Sequence, residues 1–164
     1  MRASFKKRLR YLWTFELLNA LVVFPLLYYV ISLQYRLGWF SLAALLVVCM
    51  LLVVGAAYWF LKSRALDGSR LLYQPGTRRF FRGCKRVFGF VVLALVGLFG
   101  LRAFGQSGAA LAELVTGGGL TLMALLEYIN YYHVQLSYDN RADLRYLLTH
   151  RRLKRAVMVR DLDI

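Results

Sequence analysis

Four long apolar stretches separated by polar segments set the pattern of this chain, at about 11–33, 39–61, 87–104 and 111–136. Each reaches the roughly 17–25 residues that a helix needs to cross the hydrocarbon core of a bilayer. A spanning segment must satisfy its own backbone hydrogen bonds, so all four are predicted as helices. They lack the apolar–polar alternation of barrel strands. Pro25 lies inside the first stretch and predicts a kink there. The connections at about 34–38 and 105–110 are short, which makes sequential helices antiparallel neighbours. The expected fold is therefore all-α: an integral membrane four-helix bundle over residues 1–137.

The polar segments carry the second layer of information. Residues 62–86 hold turn chemistry in Asp67-Gly68 and Pro75-Gly76, and a short surface helix is expected there before the third span. Residues 138–164 are too polar for another span. Leu144, Leu147 and Leu148 fall at helical spacing, which predicts a basic amphipathic segment lying on the membrane surface. The start, MRASFKKRLR, has the charge of a signal-peptide n-region. The apolar run behind it is too long, contains Glu16 and Asn19, and is followed by no small-residue cleavage site, so an uncleaved first span is expected.

Composition fits this pattern. Hydrophobic residues make up 60% of the 164 positions, and the mean hydropathy is +0.53. A water-soluble domain of this size has no core large enough to hide so much apolar surface. The net charge is +14, from 22 basic and 8 acidic residues. Such a charge on a soluble chain points to nucleic acid. Here the cations cluster between apolar runs without a nucleic-acid motif, so no nucleic-acid partner is expected. All but Arg36 and Arg102 of the 22 fall in the N-terminal segment, in 62–86 or beyond 137. With four spans these three segments share one side, and basic loops stay in the cytoplasm. Both termini are expected inside. Cys49 and Cys84 show neither a disulfide framework nor metal-ligand spacing.

Charged groups within spans are costly, roughly 2.5–3.5 kcal/mol at the centre. Five polar residues stand out as an intramembrane cluster: Glu16 and Asn19 in the first span, and Glu127, Asn130 and His133 in the fourth. They reach similar depth, and meet if those two spans touch. Either a proton- or substrate-coupled site or an interhelical hydrogen-bond network accounts for them. His133 points about 120° away from Glu127 on a helical wheel, which argues against one ligand set. No metal is expected, because no pair of Glu-x-x-His motifs exists. No cofactor fingerprint or nucleophile motif is present, so a non-enzymatic protein is favoured. Arg102 and Glu113 face each other across the 105–110 loop and suggest an outer ion pair. Tyr128, Tyr131, Tyr132 and Tyr138 match an interfacial aromatic belt. Gly117, Gly118 and Gly119 permit close helix approach or a bend. Arg151, Arg152, Lys154 and Arg155 are placed to contact anionic lipid headgroups or a partner.

The stretch LLEYINYYHVQLSYDNRADLRYLL resembles the C-terminal part of small bacterial inner-membrane proteins of unknown function. That resemblance covers the last third of the chain and implies a multi-pass location in the bacterial inner membrane. Four spans with a glutamate in the first are also similar to the small multidrug-resistance exporters, in which that residue binds protons and cations. Glu16 is the matching position, and this chain adds a long basic middle segment and a basic tail. Two functions follow as expectations. One is an accessory or scaffold subunit of a membrane assembly, contacting anionic lipid, a membrane-protein partner or a second copy of itself. The other is a small proton- or cation-coupled transporter or channel using Glu16 and Glu127.

Overall fold

The computed structural model describes residues 2–104, 111–136, 145, 149 and 153–164. Among them every regular element is a helix, apart from a single antiparallel backbone bridge between Val134 and Arg155. The elements are α1 (Arg2–Leu18), α2 (Phe24–Gln34), α3 (Trp39–Ala65), α4 (Pro75–Phe104), α5 (Leu111–Tyr132) and α6 (Val157–Leu162). Four stretches of continuous helix are long and apolar enough to cross a membrane: Ser4–Gln34, Trp39–Ala65, Pro75–Phe104 and Leu111–Tyr132.

The first of these is not uniform. Between α1 and α2, Asn19–Val23 forms one π-turn, in which the Phe24 N–H bonds the Asn19 carbonyl. Pro25 causes it: with no N–H and a ring that crowds the preceding turn, it cannot continue α-helical bonding, and the wider turn makes room. The kink expected at Pro25 is thus absorbed one turn earlier.

α3 is the centre of the molecule. It packs most extensively against α5 and α1, while α4 lies mainly against α5 and touches α3 lightly. A helix buried on most sides must be apolar on most sides, and the run WFSLAALLVVCMLLVVGAAYW in α3 is. Leu51, Val48, Ala44, Phe40 and Tyr58 are all fully buried. The expectation that sequential helices are neighbours fails at one junction. α3 and α4 are joined by the longer 66–74 connection, which includes a 3₁₀ turn at Leu71–Tyr73, and α5 takes the place beside α3. Glycines make the α5 contacts close. The Phe40 ring lies on Gly117 and the Phe99 ring on Gly118, where a Cβ would collide with either, and the two rings stack at 6.4 Å.

The surface is correspondingly greasy. Leu21, Leu33, Phe90, Leu93, Leu101 and Leu111 are each more than half exposed. Contiguous apolar surface of this kind marks a membrane or partner surface rather than a water-facing one.

Two boundaries differ from expectation. No separate surface helix forms within 62–86: α4 begins at Pro75 and runs unbroken into the apolar stretch. Its basic first turns are anchored because Phe81, and Leu72 just before it, are fully buried. The final residues also do not lie apart from the helices. Residues 153–156 pair with the exit of α5, the Gln135 N–H donating to the Lys154 carbonyl at 2.8 Å and the Ala156 N–H to that of His133 at 3.1 Å. α6 then buries Met158, Val159 and Leu162 against the bundle. Leu144, Leu147, Leu148 and the 105–110 loop fall outside the described residues.

Candidate functional site

The polar cluster is built around a gap in α3. At Gly55 the helix surface has no side chain, and into that space come the Tyr131 phenol from α5 and the Glu16 carboxylate from α1; a Cβ there would collide with both. α1 and α5 therefore meet through these side chains over the bare surface of α3. One turn along α3, the Trp59 indole N–H donates to Glu16 Oε1 at 2.9 Å. Glu16 Oε2 is buried beside the Tyr131 hydroxyl. The Tyr131 ring is almost wholly buried, and its hydroxyl faces both Glu16 and Glu127.

Two cavities adjoin this core. One of about 100 Å³ lies between Glu16, Tyr131, Trp59, Arg8 and the α6 residues Val157 and Met158. A larger cleft of about 380 Å³ is lined by Glu16, Asn19, Glu127, Asn130 and Tyr131, with Tyr11 and Phe15 among its apolar walls. Four of the five residues expected to cluster thus surround one cleft. His133 stands apart: it is exposed, in the turn that ends α5, with its ring 5.3 Å from that of Tyr128. Asn130 also has a structural task, its Oδ1 accepting the Leu136 N–H at 2.9 Å and shaping the chain exit. Chemically, two carboxyl groups flanking a phenol are able to hold a cation or pass a proton. Among the described residues, no three His, Cys, Asp or Glu side chains gather as a metal site.

At the opposite end, Glu113 does more than pair with Arg102. Its carboxylate receives the N–H of Gly38 at 2.7 Å, the N–H of Ser41 at 3.1 Å and the Ser41 hydroxyl at 2.6 Å. A residue of α5 thereby caps the N-terminus of α3, where free amides and the positive end of the helix dipole favour an anion. The nearest Arg102 nitrogen is 4.0 Å from Glu113. The Arg102 guanidinium also lies over the Trp39 ring, 4.7 Å from its centroid.

The end bearing the N-terminus is held by a second polar set that the sequence did not reveal. Asp161 of α6 accepts the Tyr58 hydroxyl at 2.7 Å and pairs with Lys62 at 2.6 Å. Lys6 meets Asp67, in the turn after α3, at 2.7 Å. The Lys6 ammonium holds the exposed Asp67 carboxyl below the usual carboxylate range. Lys85 donates to the Ile164 carbonyl oxygen at 3.2 Å. Within the expected lipid-contact set, Arg155 is exposed beside the Val134 bridge and Lys154 is half-buried. Arg151 and Arg152 lie outside the described residues.

The tyrosines depart from an interfacial belt. Tyr131 and Tyr132 are core residues, 4% and 1% exposed, and Tyr128 is half-buried with its hydroxyl on the Lys85 carbonyl. Tyr138 is outside the described residues. Gly55, Trp59 and Asp161 were missed. A lone glycine between bulky residues in LVVGAAYW, and the spacing of Met158, Val159 and Leu162, were the available signals. No protein-family model, curated protein or solved structure matches this chain.

Proposed function

We propose that this protein is a non-enzymatic integral membrane protein, inserted through four helices with both termini cytoplasmic. It serves as an accessory or scaffold subunit whose basic face meets anionic lipid or a partner. One observation carries this: the three basic segments converge on a single end. Lys6 touches the turn after α3, Lys62 touches α6, and Lys85 touches Ile164. A bundle with its cations gathered at one end and bare leucine and phenylalanine along its sides is matched by a bilayer with an anionic cytoplasmic leaflet. The test is topology. Cysteines introduced near each terminus, in a chain with Cys49 and Cys84 replaced by Ser, should react with a membrane-impermeant maleimide only after permeabilisation. Labelling in intact cells, or a chain that stays dissolved without detergent, overturns the proposal.

A second reading rests on the cleft that brings Glu16, Glu127 and Tyr131 together. In a proton- or cation-coupled transporter those carboxyl groups are the exchange site. Replacing both by Gln should then abolish pH-driven flux in liposomes while the protein still inserts. A scaffold shows no flux before or after the change.

A further inference from the structure

On α4, basic and apolar residues follow one another along a single face. Arg82, Lys85 and Arg86 occupy one turn and a half; Gly89, Phe90 and Leu93 continue the same three- and four-residue spacing. Together with Tyr128 of α5 and Ile164 they line an open groove of about 410 Å³. Arg82 and Arg86 are exposed, and among the described residues neither has an acidic partner. Lys85 gives one N–H to the Ile164 oxygen and keeps two more donors. Beyond the cations the groove turns apolar: Phe90 and Leu93 are 76% and 69% exposed. Gly89 lets the Tyr128 hydroxyl lie across its floor.

We propose that this groove binds one acidic phospholipid, its phosphate held by Arg82, Lys85 and Arg86 and an acyl chain laid along Phe90 and Leu93. This rests on the membrane reading above and adds a defined site to it. Charge complementarity selects an anion, and arginine's fork suits phosphate oxygens. The apolar half selects a lipid over a free phosphate, which has no use for two exposed side chains beyond the cations. The order along α4 also fits, because charge gives way to grease where headgroups give way to chains. Basic pockets beside spanning helices are a recurrent setting for anionic headgroups.

The test is a lipid titration of the detergent-solubilised protein read by native mass spectrometry, with phosphatidylglycerol and phosphatidylcholine of matched chains. One phosphatidylglycerol should bind well ahead of phosphatidylcholine. Each cation near an anionic lipid contributes about fivefold in affinity, so Arg82→Gln with Arg86→Gln should weaken binding about thirtyfold. Both side chains are exposed, so the fold is expected to survive, and unchanged circular dichroism checks this. Lys7→Gln with Arg64→Gln removes equal charge from exposed positions on α1 and α3, elsewhere on the basic end, and should leave the affinity within about twofold. Equal losses in the two variants, or no preference for the acidic lipid, overturn the site. Displacement by millimolar glycerol phosphate also overturns it, since that marks a phosphate site without a lipid. The titration does not depend on orientation in a membrane. A failed titration with intact four-span topology removes the site alone, whereas a chain that needs no detergent removes the membrane reading with it.

Discussion

Removing the Glu113 carboxylate is expected to destabilise the protein far more than removing its charged neighbour Arg102. Glu113 is 4% exposed and accepts from two α3 amides, Gly38 and Ser41, and from the Ser41 hydroxyl. In Glu113→Ala the hydroxyl keeps other partners, the Gly38 carbonyl at 3.1 Å and the Tyr28 hydroxyl at 3.2 Å. The two amides keep none among these contacts. An orphaned buried donor costs about 1–3 kcal/mol, so the variant should lose about 3 kcal/mol. Glu113→Gln retains one acceptor oxygen and should lose about half of that. Arg102→Gln gives up a marginal 4.0 Å ion pair and the stacking on Trp39, together within about 1 kcal/mol. The assay is reversible unfolding in mixed micelles titrated with dodecyl sulfate, followed by tryptophan fluorescence and circular dichroism. If Arg102→Gln lowers the midpoint as much as Glu113→Gln, the contact is an ion pair and not a helix cap.

Three more outcomes are expected. Gly55→Ala should cost about 1–3 kcal/mol in the same titration, because the new methyl meets Tyr131 and Glu16. Gly119→Ala, where nothing lies within 4 Å, should be neutral or stabilise by up to about 1 kcal/mol; equal effects would show that the gap at Gly55 is unimportant. Asp161→Asn should free residues 153–164 and speed tryptic cleavage at Arg155 and Arg160, since a largely buried partner is lost to Lys62 and Tyr58. Unchanged digestion would mean that the apolar contacts of α6 suffice. For Asp67, the carboxyl's pKa is lowered in the folded chain by Lys6. The stability it adds is present above the unfolded value and lost as pH falls through the folded one. Wild type and Asp67→Asn should therefore differ at neutral pH, at low salt, and converge in acid once pH falls below the lowered pKa of the folded chain. A difference that persists there points to some role other than charge.

The spans were legible because hydropathy acts over twenty residues and tolerates no water-seeking interruption. Their ends were less so. α4 starts at Pro75, a dozen residues before the apolar run, since Phe81 finds a buried site while its basic neighbours stay exposed. Helical phase told which residues of α5 share a face, and it set His133 apart from Glu127. It could not tell that Tyr131 would reach Glu16 past Gly55, because that depends on which helix stands between α1 and α5. The Arg102–Glu113 proximity was visible in the sequence across a short loop. The capping of α3 by Glu113 joins residues more than seventy positions apart and has no local mark.

The π-turn sets the phase of everything after it. Tyr28 follows Glu16 by twelve residues, which in an uninterrupted α-helix places them about 120° apart. The wide turn absorbs one residue without advancing the screw, leaving eleven effective steps and a separation of about 20°. That is why Glu16 reaches Trp59 and Tyr28 reaches Ser41, two addresses on the same neighbouring helix. Excising a single residue between 19 and 23 together with Pro25→Ala, which removes the cause of the wide turn, should restore a plain helix without moving either side chain off its target, a deletion that almost any other point in a packed helix would refuse.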